Sequence, residues 1–520
     1  MACWPRWVAA AWGKRACTNP LEQVRLADRT TPTEADVGAG RHHSHRIDMH
    51  ASYGAVLPNC EIESPMRRAL LASLFCLTTA CAHAPDWRLT AQVELPAITH
   101  DASPLPSDGS NSVNLNRFGF FSDLVFEATS GAWFALSDRG PGGGLIDYAT
   151  RVQRMRIPFD AASGEIGTPV IEATILLQDA DGRAFNGRNP RLLAGRDDRP
   201  GLSLDPEGLA IDSRGHLYVA DEYGPGIHEF SAQGRLVRSF AMPRNLLPRA
   251  ADGTPNHVDG RPQVSLGRQD NRGFEGLTLD ADGKRLYAAM QGPLLEEGED
   301  NDGRRSRFLR IATFDIRSGQ PLAQYAYPLE SIEHLNAIDP ATHDDFKATQ
   351  QGRSIGISAI HALGNGEFLV MERDNRGFGI EATPPPLHKR VYRISLQGAT
   401  DISSLSLAGS NALPAGVVPV RKTDEVDLLA LLRAAGARDI PEKLEGLAIG
   451  PRLADGRHLV LIGSDNDYSV TQTGSGEQFE VCVNRETGER ISDLPLDGAC
   501  PPGMQRIPGV LLAFAVDFGG

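Results

Sequence analysis

A short phrase of a hydrophobic residue, glutamate, glycine and leucine recurs along the chain and opens several similar segments. The glutamates of the phrase are Glu207, Glu275 and Glu445, and two related copies carry serine at that position, Ser122 and Ser358. The copies lie roughly 70 to 90 residues apart, and loops of unequal length account for the differences. Self-similarity at a long period is typical of repeat architectures.

The hydrophobic pattern after each phrase predicts a β-hairpin. A turn containing glycine follows, as in Ser213-Arg-Gly, and then a short run of β-branched and aromatic residues, as in His216-Leu-Tyr-Val-Ala-Asp. Third and fourth runs of this kind follow in several modules, for example Phe308-Leu-Arg-Ile-Ala-Thr-Phe and Leu322-Ala-Gln-Tyr-Ala-Tyr. Short strands between turn signals indicate antiparallel structure, and four strands in each repeated module are typical of propeller blades.

The pattern therefore predicts an all-β protein, a β-propeller of five or six four-stranded blades formed by residues 85–520. Five modules are clear, and a sixth has room in the insertions at 244–270, 331–354 or 399–440. The last module lacks outer strands until the run that begins at Val510, and a strand that begins at Trp87 is expected to complete it. Pairing of these N- and C-terminal strands would close the ring and remove its edges. One helix is predicted from Asp424 to Gly436.

Composition agrees with many short elements and argues against some partners. The chain has 54 glycines and 35 prolines, which end helices and strands, and its 41% hydrophobic residues suffice for a large core. The net charge of −14 argues against a nucleic acid as partner, because phosphate backbones are bound by clustered Lys and Arg. An acidic chain also suits a protein that binds cations. We expect a monomer.

Residues 66–84 have the layout of a secretory signal peptide. Arg67 and Arg68 precede a 12-residue apolar run, 69–80, which is too short to span a bilayer. Two outcomes stay open: cleavage after Ala82-His83-Ala84, or lipid attachment at Cys81. Residues 1–65 are interpreted as a spurious or disordered upstream extension. The expected location is therefore outside the cytoplasm, as a periplasmic protein, a lipoprotein anchored in the outer membrane, or a secreted protein.

Two of the seven cysteines, Cys482 and Cys500, lie in the body of the chain, 18 residues apart in a loop-like stretch. In an oxidising compartment such a pair predicts a disulfide that closes one loop.

Carboxylates recur at the glutamate position of the phrase. The first strand of each propeller blade lines the central channel, so Glu207, Glu275 and Glu445 are expected to converge there. Asp138, at the end of a second strand, is a further candidate ligand of the same metal. Converging carboxylates repel each other, and a hard divalent cation with oxygen ligands, above all Ca²⁺, relieves the repulsion. The alternative is that each glutamate caps backbone N–H groups at a blade corner.

Acidic residues also recur where the second strand of a module ends, on loops of one rim, where propellers bind ligands. The candidate catalytic residues at this position are Glu222, Glu372 and Asp465. The candidate substrate-binding residues, whose cationic side chains suit an anionic group, are Arg139, Arg272, Arg373, Arg376 and Lys443. The alternative is a set of Asp–Arg pairs that brace turns.

Several phrases together resemble the phytase-like family of secreted bacterial proteins, described as having esterase-like activity of phytase. The matching phrases are Ala135-Leu-Ser-Asp-Arg-Gly, Asp205-Pro-Glu-Gly-Leu with Ala220-Asp-Glu-Tyr-Gly, Asn271-Arg-Gly-Phe-Glu-Gly-Leu, Val370-Met-Glu-Arg-Asp, and Lys443-Leu-Glu-Gly-Leu with Ser464-Asp-Asn-Asp. The resemblance covers roughly residues 110 to 470 and the C-terminal strand. It implies a β-propeller that hydrolyses phosphate or carboxylate esters. Serine in two modules argues against a symmetric ring of glutamates.

The leading functional hypothesis is an exported hydrolase of phosphate or carboxylate esters with a divalent metal at the propeller channel. The metal would lower the pKa of a water that serves as nucleophile, and the substrate would be a small anionic ester. Two alternatives are a non-catalytic envelope propeller that binds a ligand or scaffolds other proteins, and a lactonase-like metal hydrolase. The chain has neither a G-x-S-x-G nor an H-E-x-x-H motif.

Overall fold

A computed structural model describes residues 85–103, 116–193, 200–338, 346–473 and 477–519. The predictions for 1–65, for the signal peptide at 66–84 and for Cys81 lie outside the described residues. In the described part of the chain, none of the helices has both the length and the apolar character needed to cross a membrane.

Strands form nearly all of the regular structure. In chain order, the strands are β1 (Asp86–Leu95), β2 (Asp123–Glu127), β3 (Ala132–Leu136), β4 (Arg151–Arg156), β5 (Val170–Leu176), β6 (Pro206–Ile211), β7 (Leu217–Asp221), β8 (Gly226–Phe230), β9 (Leu236–Ser239), β10 (Phe274–Leu279), β11 (Arg285–Met290), β12 (Phe308–Asp315), β13 (Gln320–Pro328), β14 (Ile355–Gly364), β15 (Glu367–Asp374), β16 (Lys389–Ser395), β17 (Arg421–Asp427), β18 (Lys443–Arg452), β19 (His458–Asp465), β20 (Val470–Gln472), β21 (Gln478–Val483), β22 (Arg490–Pro495), β23 (Gln505–Arg506) and β24 (Gly509–Asp517). The helices are α1 (Ile332–Ile338), α2 (Gln351–Ser354) and α3 (Leu428–Ala434).

Five antiparallel four-stranded sheets are the blades of a propeller. Blades I to IV are β2–β5, β6–β9, β10–β13 and β14–β17, and blade V has the order β18, β19, β24, β1. The first strands β2, β6, β10, β14 and β18 contact each other in this order, and β18 contacts β2. They surround a central cavity of about 150 Å³ that residues of all five strands line. The described chain is therefore a closed five-bladed ring, and the predicted propeller is confirmed.

The ring closes in blade V, where the N-terminal strand completes the sheet. Strand β1 pairs with β24 in antiparallel register, with Trp87 opposite Val516. Strand β24 also pairs with β19, so the N-terminal strand and the C-terminal strand belong to one blade and this blade closes the ring. The N- and C-terminal strands therefore pair as the sequence pattern predicts.

A sixth four-stranded sheet, β20–β23, is an insertion between β19 and β24 and is not a blade. It carries the disulfide between Cys482 and Cys500, which is confirmed. In their described residues, the three insertions that had room for a sixth blade contain only loops, the three helices and β17, the outer strand of blade IV. The sequence pattern did not predict this sheet; two of its strands, β20 and β23, have only three and two residues.

The predicted helix begins later than the sequence pattern indicates. Residues Arg421–Asp427 pair with β16 as an edge strand, so α3 begins at Leu428. The side chain of Asp427 caps the helix by accepting a hydrogen bond of 2.9 Å from the backbone N–H of Ala430. The acidic residues that predicted the helix start therefore lie in strand β17, and the last of them, Asp427, caps α3.

Candidate functional site

The glutamate of the repeated phrase is the extra residue of a β-bulge. The pairing of first and second strands shifts register around Glu207, Glu275 and Glu445, so each lacks a partner on the neighbouring strand. Ser358 occupies the same bulge in blade IV. A bulge re-aims the side chain of the unpaired residue. The three bulges turn their glutamates towards the channel axis.

The glycines after Glu207 and Glu275 are required by the contact between blades. A Cβ atom on Gly208 would lie 2.8 Å from Leu277 Cβ, and one on Gly276 would lie 2.8 Å from the backbone N of Ile360. Real side chains do not tolerate contacts this short. The Glu-Gly pair therefore combines a bulge with a close approach of neighbouring first strands.

The channel mouth is the end of the channel at which the first strands begin, and carboxyl groups converge there in three overlapping groups. The groups are Glu207, Glu275 and Glu445; Asp138, Asp205 and Glu207; and Asp138, Asp465 and Asp467, with oxygens within 4.8 Å of one another in each group. All but Asp467 are buried. The structure therefore brings together the four residues that the sequence pattern assigned to a metal.

Burial dominates the electrostatics of these carboxyl groups. Burial, followed by repulsion from Asp205 and Glu275, raises the pKa of Glu207 well above its ordinary value. Burial is also the main reason why the pKa of Asp465 rises to about 7 and that of Glu222 to about 8. Carboxyl groups in this state take up a proton or require a cation.

Three of the predicted substrate-binding cations are paired with these carboxylates. Lys443 Nζ lies 2.9 Å from Asp465 Oδ2 and 2.6 Å from Asp467 Oδ1. Arg373 donates a hydrogen bond to Glu445 Oε1. Arg139 donates to Asp205 Oδ2 and to Asn271 Oδ1 and lies 3.8 Å from Glu222 Oε2. These three side chains thus serve as counter-ions in the cluster.

Several carboxylate oxygens at the channel mouth accept no hydrogen bond from the described residues. Glu207 is buried and neither accepts a hydrogen bond nor forms an ion pair there. Glu222 is 2% exposed and neither of its oxygens accepts a hydrogen bond. Glu275 Oε1 accepts a bond of 2.6 Å from Gln291, whereas its Oε2 has no partner. Buried oxygen donors that lack partners are a ligand set that fits a hard divalent cation.

Two predicted site residues lie outside this cluster. Glu372 is fully buried and accepts hydrogen bonds from Tyr327 Oη at 2.8 Å, His388 Nε2 at 2.9 Å and Lys422 Nζ at 2.6 Å. Burial opposes ionisation of this carboxyl, but the Lys422 and His388 contacts outweigh it and lower its pKa to about 2. The guanidinium of Arg376 stacks on the Phe346 ring at 4.1 Å. The structure therefore gives Glu372 the contacts of a buried ion pair between strands.

Sequence reasoning did not assign a role to two members of the carboxylate groups, Asp205 and Asp467. Each lies two residues from an assigned acid, Glu207 and Asp465 respectively, and that proximity was the available signal. Asp467 also begins a run with positive φ angles of 47°, 56° and 57° that ends at Ser469. Glycine is absent from this run, and only Asp467 is of a residue type that is enriched at positive φ.

Comparison with solved structures finds only distant similarity. The chain is 12% identical to the periplasmic gluconolactonase PpgL of Pseudomonas aeruginosa, covering 75% of this chain and 87% of that one with a TM-score of 0.28. It is 13% identical to PorZ, a surface component of the type-IX secretion system of Porphyromonas gingivalis, covering 67% of this chain with a TM-score of 0.29. The chain spans 32% of the length of PorZ. Scores at this level do not bear on function.

Sequence comparison is more informative. An uncharacterized secreted protein of Arthroderma benhamiae is 28% identical over 456 residues, which cover 72% of this chain and 87% of the relative. The phytase-like family model, described as esterase-like activity of phytase, matches residues 116–468, which include every residue of the three carboxylate groups. The match spans more than half of the chain and confirms the resemblance of the repeated phrases, so the chain belongs to the phytase-like family.

Proposed function

We propose that the channel mouth is the active site of a hydrolase that cleaves phosphate or carboxylate esters with the help of a divalent cation. The observation that carries this proposal is the state of Glu207. Glu207 is 8% exposed and forms no hydrogen bond or ion pair with a described residue, yet it belongs to two of the three carboxylate groups. A cation shared by these oxygens would relieve their repulsion.

The cation would be held by Glu207, Glu275 and Glu445, with Asp138 and Asp205 on the adjoining side. All five offer carboxylate oxygen, which suits Ca²⁺, the cation we expect here. When bound, a divalent cation lowers the pKa of water and offsets negative charge on the substrate. Arg373 and Arg139 orient the carboxylates of Glu445 and Asp205 through their hydrogen bonds.

Two carboxyl groups of the chain are suited to move protons. Glu222 has a pKa of about 8 because it is buried, so it carries a proton at neutral pH and can donate it from its carboxyl oxygen to the leaving group. Asp465 has a pKa of about 7, and burial is again the main cause. Its carboxylate can accept a proton from the attacking water, and its contact with Lys443 keeps part of the population ionised.

The protein is proposed to act outside the cytoplasm. The Cys482–Cys500 disulfide supports export, because disulfides persist in oxidising compartments. The relative from Arthroderma benhamiae, described as secreted, supports it as well. Cleavage of the signal peptide and lipidation of Cys81 remain the two predicted routes, and the working form is expected to be a monomer.

The test is turnover of p-nitrophenyl phosphate, p-nitrophenyl acetate and a lactone by the purified protein with Ca²⁺ and with chelator. We expect the chelator to abolish activity and Ca²⁺ to restore it. Glu207→Gln should lower Ca²⁺ affinity by about tenfold or more, with a matching loss of turnover. Glu333→Gln, a change of the same kind on the exposed face of α1, is the control.

Two results would contradict the proposal. One is the absence of both turnover and Ca²⁺ binding in the wild-type protein, which would favour a non-catalytic ligand-binding propeller. The other is wild-type activity in both Glu207→Gln and Glu445→Gln, which would exclude the channel mouth as the site. Turnover of the lactone alone would redirect the proposal to lactonase chemistry.

A further inference from the structure

Two arginines at the channel mouth have no carboxylate partner in the described part of the chain. Arg272 donates hydrogen bonds to the backbone carbonyls of Arg353 and Ile355, the latter at 3.4 Å. Arg353 Nη1 donates to the carbonyl of Asp270 at 2.9 Å. Neither guanidinium lies within ion-pair distance of a described carboxylate, in contrast to Arg139, Arg373 and Lys443. Carboxylates act on the two guanidinium groups from a distance, and none forms an ion pair with them at contact distance.

The side chain of Arg272 lies in a slot that glycines keep open. A Cβ atom on Gly292 would lie 2.9 Å from Arg272 Cδ, and one on Gly356 would lie 2.9 Å from Arg272 Nη1. Any larger residue at either position would displace the guanidinium. The slot and the two carbonyl acceptors hold the planar group in one place before a ligand arrives.

Burial and neighbouring arginines disfavour the charged form of Arg272. Burial, followed by repulsion from Arg353 and Arg373, lowers the pKa of Arg272 to about 9. Burial is also the main reason why the pKa of Arg353 is lowered, against the attraction of Glu222 and Asp270. An anion placed against both guanidinium groups would relieve this repulsion. The pair borders the carboxyl groups of Glu222 and Glu275, which influence the pKa of Arg272 in the opposite direction.

We propose that Arg272 and Arg353 form an anion-binding subsite that takes an oxyanion group, phosphate or carboxylate, beside the carboxylate cluster. Guanidinium forks bind oxyanions through paired, charge-assisted hydrogen bonds. Arg353 is thereby assigned to the site, and Arg139, Arg373 and Lys443 act as counter-ions of the cluster. The statement that this subsite holds the anionic group of the substrate rests on the function proposed above. Binding of a free anion is measured without turnover.

The experiment is calorimetric titration of the full chain with inorganic phosphate in the presence of EDTA. We expect the wild-type protein to bind phosphate and Arg353→Gln to weaken binding by about tenfold or more, the effect of losing a charged hydrogen bond. Arg304→Gln is the matched control, since Arg304 belongs to the same cationic surroundings but is paired with Asp302 at 2.6 Å. It should change phosphate binding by less than about twofold. Arg353→Lys, which keeps the charge without the fork, should fall between them.

Equal losses in Arg353→Gln and Arg304→Gln would overturn the subsite. Phosphate binding that requires Ca²⁺ and is absent in EDTA would also overturn it, because the anion would then belong to the cation site. Glu207→Gln separates the two proposals, since it should lower turnover and leave phosphate binding in EDTA intact. If Arg353→Gln does not fold, phosphate protection of Arg353 from phenylglyoxal, read by peptide mass spectrometry, decides the question. Lack of protection would overturn the subsite.

Discussion

Glu207 and Glu275 occupy the same bulge position on neighbouring first strands, and their carboxylate oxygens lie within 4.8 Å of each other. The glycines that follow them, Gly208 and Gly276, allow these strands to approach so closely. Two buried carboxylates at this separation cannot both keep a charge without a cation or a proton between them. The glycine of the repeated phrase therefore allows the first strands to pack closely, and its glutamate places repelling carboxylates at the channel mouth.

Glu222→Gln should remove the fall in activity at basic pH. Burial raises the pKa of Glu222 to about 8, so the proton that it donates is lost as pH rises through that value, and the wild-type rate should fall. Glutamine does not titrate, so the variant should be slower and show no such fall. The measurement is kcat/KM over about two pH units on either side of that pKa. A basic limb that persists unchanged in Glu222→Gln, as expected for the control Glu333→Gln, would exclude this role.

Gly208→Ala should destabilise the propeller. The new Cβ would lie 2.8 Å from both Leu277 Cβ and Leu277 N on the next blade, and overpacking of this kind costs about 1–3 kcal/mol. Gly167→Ala is the matched control, because the nearest atom to its Cβ would lie at an ordinary 3.5 Å. Urea denaturation of the metal-free proteins measures the difference. Equal midpoints for the two variants would show that the first strands do not need glycine here.

Glu372→Gln should reduce stability and leave Ca²⁺ affinity unchanged. The substitution removes the negative charge and one of the two oxygens that accept from Lys422 and His388, and breaking one side of a buried ion pair costs about 3–5 kcal/mol. Adding Lys422→Met should recover much of this loss, because no buried charge is then left unpaired. Thermal unfolding and calorimetry with Ca²⁺ are the measurements. Loss of turnover without loss of stability would instead support the catalytic role predicted from sequence.

Replacing Cys482 and Cys500 together by serine should loosen the inserted sheet and weaken the cation site, because Asp467 belongs to a carboxylate group that shares Asp138 with that site. The disulfide closes a loop of 18 residues, for which a stabilisation of about 3 kcal/mol is typical. The sheet also holds the turn that carries Asp467, since Ser469 Oγ donates to the carbonyl of Val481 at 2.8 Å. The double variant should melt lower than the wild type and should not respond to reductant. An unchanged melting temperature together with unchanged Ca²⁺ affinity would contradict the expected coupling.

The sequence by itself determined the blades, the join of the terminal strands, the disulfide and the convergence of the glutamates. These features follow from local patterns: alternating hydrophobic runs between turns define strands, and a recurring phrase places Glu207, Glu275 and Glu445 at equivalent positions. Equivalent positions of a closed ring face one axis. The convergence of the three glutamates can therefore be predicted without knowing which side chains are in contact.

Only the tertiary structure decided the number of blades and the partner of each charge. Arg139 reaches Asp205 across 66 residues, and Glu372 finds Lys422 across 50, so neither pairing leaves a local signal in the chain. The three-dimensional contacts turned Arg139 into a counter-ion, gave Glu372 buried partners away from the cluster, and left Arg272 and Arg353 without carboxylates in the described part. Side-chain pairing depends on which segments the ring brings together, and that is a property of the closed fold.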